Sequence, residues 1–356
     1  MISSIAIRCG VSRSDLSRFT PLYAPGDRGR LGCNCCTEIN LENLAPDCYN
    51  KAMMSIKEHP PQSASPQVSE PIHVPVLLDI TLEKLQPARG EAYLDLTVGY
   101  GGHAREFIRR TDNYLSAVLV DRDENAINTL SDLSKKGATL MHTDFVSAAQ
   151  DLVKQGRTFD VILADLGVSS PQLDRAERGF SFRFDGPLDM RMDNRTETTA
   201  ADIVNLYSVD DLTQLITRYG EENLGRARRI AQAIVGARPI QGTTELADLI
   251  KQTVGRGSMK HHPATRTFQA LRIEVNRELI EELLPLLPRL LNKGGRVGII
   301  SFHSLEDRLI KRYFSEQATA GYEAELIVRE KKPVSGTEDV HNPRSRSAKF
   351  RYAVKK

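Results

Sequence analysis

Four short apolar runs, AYLDLTV (92–98), LSAVLVD (115–121), ATLMHTD (138–144) and FDVILAD (159–165), alternate with stretches of helical character. They are rich in Val, Ile and Leu, and too continuously apolar for strands with one wet face. Such strands, separated by helices of about ten residues, call for a parallel sheet covered on both sides. Right-handed crossovers make that sheet doubly wound. Three later runs, GRVGIISFH (295–303), AELIVRE (324–330) and AKFRYAV (348–354), bring the expected strands to seven.

The alternation stops after the fourth strand. From about residue 174 to 265 the chain offers helical candidates only: ADIVNLY, DDLTQLITRYG, GRARRIAQAIVGA and TELADLIKQTVG. One long helix is then expected through TFQALRIEVNRELIEELLPLL (267–287). The organisation that follows is α/β: a sheet domain over 71–173 and 267–356, interrupted by a helical insertion over 174–266.

Residues 1–70 have another character. They lack sustained periodicity and end in a Pro/Ser/Gln-rich linker, EHPPQSASPQVSEP. They are expected to be a disordered or artefactual extension, with translation starting at Met53 or Met54; an organellar transit segment is the less favoured reading. All five cysteines (Cys9, Cys33, Cys35, Cys36, Cys48) lie here, and GCNCC lacks the paired spacing of zinc ligands. The body, free of cysteine from Tyr49 onward, can build neither a disulfide framework nor a cysteine nucleophile. No apolar run approaches the roughly 18 residues of a membrane span, so a reducing, cytoplasmic setting is expected.

The first strand leads into DLTVGYGGHA, where Gly99, Gly101 and Ala104 fit G-x-G-x-x-G/A. Asp121 closes the second strand 22 residues after Gly99, placed to accept ribose hydroxyls. This combination points to an adenosine-containing ligand, either NAD or S-adenosylmethionine. A diphosphate at the glycines would meet Asp95 four residues ahead, an unfavourable neighbour for an anion. A sulfonium with an ammonium would instead gain from it. Asp95, Asp121, Asp144 and Asp165 close four adjacent strands at the sheet edge where such folds bind ligands, which favours the methyl donor. Each acid taken alone also reads as a helix cap.

The loop after the fourth strand, carrying Ser169, Ser170, Pro171 and Gln172, would then present the methyl acceptor. Oxygen acceptors there suit an exocyclic base amine, whose delocalised lone pair needs help to attack. Phe180, Phe182 or Phe184 could stack on an extruded base, or could fill the insertion's core. His303 reads as an orienting group or as a backbone-bonded structural histidine. His73, His103, His142 and His303 sit at the ends of different elements, and no metal site is expected. Basic clusters at Lys251–Arg277 and at Arg344–Lys356, the latter with six bases and no acid, suit a polyanion.

At this point ILADLGVSSPQLDRAERGFSFRFDGPLDMRMD, YGEE, HHPATRTFQALRIEVNRELI, GGRVGIISFHSLEDRLIKRYF and NPRSRSAKFR, together with DLTVGYGGHA and LVDRDENAI, become informative. In collinear order from about His73 to Tyr352, they resemble the bacterial RsmH (MraW) family. The resemblance implies a class I methyltransferase sheet and transfer from S-adenosylmethionine to N4 of a cytosine in the decoding region of 16S ribosomal RNA. It places Gly101, Gly102 and His103 along the methionine and adenosine of the donor, Asp121 on the ribose and Phe145 at the adenine. Asp165 and Gln172 would lie beside the reacting methyl. The implied partner is the small ribosomal subunit; the oligomeric state stays open, a homodimer included. The absence of cysteine in the body fits amine methylation and excludes a cysteine-dependent attack on cytosine C5. An NAD-dependent oxidoreductase and a non-catalytic RNA-binding module are the rivals.

Overall fold

In this computed structural model the described residues are 75–356 without 256–261, 277–278 and 341, plus a two-residue strand pair, Arg30–Leu31 with Ile39–Asn40. The remaining expectations for residues 1–70, the cysteines among them, lie outside the described residues, as does His73. His73–Lys356 form one compact unit of the chain and Met1–Ile72 another.

Within the larger unit α1 (Leu78–Leu85) precedes β1 (Tyr93–Asp95) and α2 (Gly102–Thr111). β2 (Val118–Asp121), α3 (Glu124–Asn128), α4 (Ser131–Lys135), β3 (Thr139–His142), α5 (Phe145–Lys154) and β4 (Phe159–Asp165) complete the first half. After the short α6 (Ser170–Asp174) comes the insertion: α7 (Ala200–Leu206), α8 (Val209–Arg218), α9 (Leu224–Gly236), α10 (Thr243–Val254) and α11 (Thr265–Val275). The chain returns through α12 (Ile280–Leu283) and α13 (Leu287–Leu290) to β5 (Leu291–Ser301), α14 (Ser304–Thr319), β6 (Leu326–Ile327), β7 (Val334–Ser335) and β8 (Lys349–Lys355).

The strand order is β3-β2-β1-β4-β5-β8-β6, with β7 also paired to β8. β1 to β5 are mutually parallel, whereas β8 runs antiparallel to its neighbours. The seven expected strands are thus joined by an eighth, Val334–Ser335, too short to leave a periodic signal.

Strand alternation fills two cores. Leu94, Val118, Val120, Ile162, Val297 and Ile299 face α5, α12, α13 and α14. Tyr93, Leu119, Val161, Leu163, Ile300 and Phe350 face α1, α2 and α4. Burying each such side chain contributes roughly 1.5–3 kcal/mol, which is why these runs carry almost no polar residue. Gly298 is where β5 passes beneath the Phe350 ring: a Cβ there would lie 2.5 Å from it.

The insertion has a third core, in which Ile216, Ile230, Ile234, Ile250, Phe268 and Leu271 pack with Phe180. Thr199, Ser208 and Asn223 cap α7, α8 and α9 with their side chains, as expected of residues that satisfy orphan helix donors. The expected long helix is broken. α11 stops at Asn276, whose amide donates to Met190 O (2.7 Å) and Arg272 O (3.0 Å) and accepts from Met192 N (2.8 Å). A side chain that bonds backbone in this way ends a helix that the apolar spacing would continue.

The basic tail also differs from its sequence reading. Arg344 forks onto Asp174 (2.8 and 2.9 Å), Lys349 and Arg351 share Asp307 (both 2.8 Å), and Lys355 meets Glu325 (3.3 Å). The acids come from distant segments, so a local charge count cannot register them.

Candidate active site

The glycine loop is shaped by sterics and by one acid. Gly99 (φ 52°) and Gly101 (φ 84°) take left-handed conformations, and a Cβ at Gly101 would collide with Leu130 at 2.6 Å. Gly102 opens α2 against Pro75, whose ring would lie 2.6 Å from an added Cβ. Asp121, at the end of β2, accepts from Gly99 N (2.7 Å) and Asp123 N (2.8 Å). It therefore organises the loop as well as facing the ligand edge, and burial pushes its pKa up.

The four strand-end acids separate into different roles. Asp95 is 1% exposed and accepts from Tyr93 Oη (2.7 Å) and Thr97 N (3.2 Å). Burial lifts its pKa to about 7. Asp165 is raised well above the usual carboxylate range by burial, with Asp95 and Glu306 adding repulsion. Its Oδ1 is buried and has no hydrogen-bond partner, while Oδ2 lies 3.6 Å from His103 Nδ1. Asp144 is a helix cap, accepting from Val146 N (3.0 Å) and Ser147 N (2.9 Å). Burial opposes ionisation there, but those hydrogen bonds prevail and hold its pKa below the usual value.

β4 delivers the next loop. Gly167 (φ 113°) turns the chain under Phe302, whose ring would lie 2.9 Å from an added Cβ. The Ser169 hydroxyl is buried and has no partner. Gln172, 4% exposed, accepts from Ser169 N (2.9 Å) and donates to Asp123 Oδ2 (2.7 Å), so both ends of its amide are engaged within the protein. Tyr100, at the tip of the glycine loop, also buries an unpartnered hydroxyl, with the Arg175 guanidinium 5.9 Å from its ring. Of the five buried side-chain atoms without partners among the described residues, three (on Tyr100, Asp165 and Ser169) line these two loops. Orphan polar atoms of this kind call for a partner, which a bound ligand or a water can supply.

Phe145 begins α5 and lines a cavity of about 460 Å³ with Arg122, Asp144, Asp193, Thr196 and Asn276. That volume is typical of small-molecule sites. The three aromatics of the GFSFRF stretch part company. Phe180 is fully buried, Phe182 packs on Phe268 (4.8 Å) and His262 (4.7 Å), and Phe184 is 54% exposed. His303 caps α14: Nδ1 accepts from Glu306 N (3.3 Å) and Nε2 lies 2.8 Å from the Glu306 carboxylate. This is the structural option. No cluster of three or more metal-ligating side chains occurs among the described residues.

Asp123 has no place in the sequence reading. Asp123 carries the signature of a helix cap, which it is (Asn125 N, 3.0 Å), and its partner Gln172 is 49 residues away. Chemically, the site is a glycine cradle beside three acids, Asp95, Asp121 and Asp165, whose ionised forms burial disfavours. Those carboxylates suit a sulfonium with an ammonium better than a diphosphate.

The MraW methylase family model matches residues 70–356. Ribosomal RNA small subunit methyltransferase H of Gloeothece citriformis is 46% identical over 295 residues, covering 80% of this chain and 94% of that protein. The enzymes of the same name from Acidobacterium capsulatum (44%) and Clostridioides difficile (42%) each align with 80% of this chain and 98% of their own length. A match of that extent, running through the glycine cradle, the loop after β4 and the insertion alike, makes this chain a member of the MraW methylase family.

Proposed function

We propose that the protein methylates the N4 amine of a cytosine in the decoding region of 16S ribosomal RNA, using S-adenosylmethionine. The observation that carries this reading is the buried, unpartnered Asp165 Oδ1 beside His103, at the strand end nearest the acceptor loop. Gly101, Gly102 and His103 would hold the donor's methionine and adenosine, Asp121 its ribose, and Phe145 its adenine. Asp165 would lie at the reacting centre, and Gln172 would contribute by fixing the loop there.

The donor supplies an electrophilic methyl on a positively charged sulfur. The chain's residues do the rest. Asp165 and the Ser169 hydroxyl accept hydrogens of the amine, which returns electron density to its nitrogen as the C–N bond forms. The same carboxylate would take the proton that the amine releases. The helical insertion would cover the RNA, with Arg228, Arg229 and Phe184 exposed on it. A cytoplasmic setting of bacterial type belongs to the same proposal, since the substrate is the small ribosomal subunit. No helix among the described residues is long and apolar enough to cross a membrane.

Labelled donor incubated with undermethylated small subunits, followed by RNA digestion, tests the reading. Label in N4-methylcytidine is the expected result. Label in another nucleoside, or none, would overturn it.

A further inference from the structure

We propose that Asp123 is a positioning residue for methyl transfer, holding the acceptor loop in register with the donor pocket through Gln172. The inference rests on the functional reading above and concerns a residue to which that reading gives no role. Asp123 is 1% exposed, and its atoms bond to four residues, two of them, Gln172 and Arg178, far along the chain. Its N–H donates to the ribose-side acid Asp121 (2.8 Å), and Oδ1 caps α3 at Asn125 N (3.0 Å). Oδ2 accepts from Gln172 Nε2 (2.7 Å) in the acceptor loop and from Arg178 Nη1 (3.0 Å). Arg178 in turn donates to Arg191 O (2.9 Å) and Met192 O (3.4 Å) in the insertion.

A helix cap needs one oxygen, which Ser, Thr or Asn provides as well. The second oxygen of Asp123 is surplus to the cap, yet it is the one that crosses to the loop after β4. A carboxylate only accepts, so it compels the Gln172 amide to turn its NH2 inward and its carbonyl toward Ser169 N, where it accepts at 2.9 Å. The neighbouring Ser169 hydroxyl, which has no partner, lies on the same short loop, directly after the β4 end that carries Asp165. Asp123 thereby fixes the orientation of the loop group proposed to meet the amine, while its backbone fixes the acid proposed to meet the ribose.

The hydrogen-bond polarity gives a specific test. Asp123→Ser keeps a capping oxygen and removes only the second arm. Asp123→Asn keeps the cap but turns an NH2 against the NH2 of Gln172. Asp123→Asn combined with Gln172→Glu restores the donor–acceptor order between positions 123 and 172 and the net charge, while Arg178 still faces the introduced NH2. Both single variants should lose about 100-fold in kcat with donor affinity by calorimetry within about threefold of wild type. The double variant should recover part of the rate, at least tenfold over Asp123→Asn. Amide hydrogen exchange without any ligand should show Ser169 less protected in the single variants and protected again in the double.

Wild-type kcat in Asp123→Ser, or a double variant as slow as Asp123→Asn, overturns the proposal. So does a loss of donor affinity as large as the loss of kcat, which a merely structural residue would give. If the wild-type protein transfers no methyl to small subunits, the functional reading fails. The exchange measurement then still decides whether Asp123 holds the loop, unchanged Ser169 protection counting against it.

Discussion

His103 Nδ1 stands 3.6 Å from Asp165 Oδ2, while its Nε2 lies 3.0 Å from the Val76 carbonyl. A carbonyl only accepts, so Nε2 carries a hydrogen and Nδ1 is the ring atom turned to Asp165. Burial raises the pKa of Asp165 well above the usual carboxylate range, with Asp95 and Glu306 adding repulsion. A bound cation beside it would favour the ionised form.

A pH dependence follows. The folded-state pKa of Asp95, about 7, lies above the ordinary 3.8. Its contribution to stability is therefore complete below pH 4 and is lost as pH rises through 7. Asp95→Asn should gain stability relative to wild type between pH 5 and pH 8, read by thermal melting. Affinity for the cationic donor should rise over the same interval in wild type and flatten in the variant. A pH-independent difference in both readouts would contradict the assignment.

Asp121→Ala should abolish tight donor binding, because it removes the proposed ribose acceptor and leaves Gly99 N and Asp123 N without their partner. Each unpaired buried N–H costs about 1–3 kcal/mol, so the glycine loop should loosen as well. Calorimetry is the check; unchanged donor affinity would refute the site.

Ser169→Ala separates catalysis from stability. The hydroxyl makes no hydrogen bond within the protein, so its loss should leave the melting temperature unchanged or slightly raised. The rate should fall at least tenfold if the hydroxyl accepts an amine hydrogen, since such contacts contribute roughly 10²-fold or more. A variant with wild-type kcat would remove Ser169 from the mechanism.

Asp307→Ala should destabilise the fold without a specific effect on RNA. Arg351 is 6% exposed and, with Lys349, relies on this carboxylate. Burial opposes the ionised form, but the two cations hold the pKa of Asp307 below its usual value. Stranding the buried guanidinium costs about 3–5 kcal/mol, measurable by denaturant titration. Arg228→Ala with Arg229→Ala should instead leave stability intact and reduce the slope of log affinity against log salt by up to about 1.4.

The two outer phenylalanines of GFSFRF should behave oppositely. Phe180→Ala empties a fully buried position and should cost about 3–5 kcal/mol. Phe184→Ala should leave melting unchanged and weaken binding to the small subunit, because its ring is 54% exposed. Equal effects on melting would show that exposure does not separate them.

Much of the architecture is legible in the chain because its causes are local. Strand runs must be apolar on both faces, caps must lie within three residues of their helix, and Gly99 and Gly101 must sit where φ is positive. The place of Asp121 at the end of the second parallel strand follows from that periodicity. Tertiary structure decided which of four similar aspartates caps a helix and which is left with an orphan oxygen. It decided that four bases of the tail serve the fold, and that Asn276 breaks a helix its neighbours would continue. It also joined Asp123 to Gln172 across 49 residues. The physical reason is range: propensity and periodicity act over a few residues, whereas burial, pKa and hydrogen-bond partners depend on which distant strands come to lie side by side.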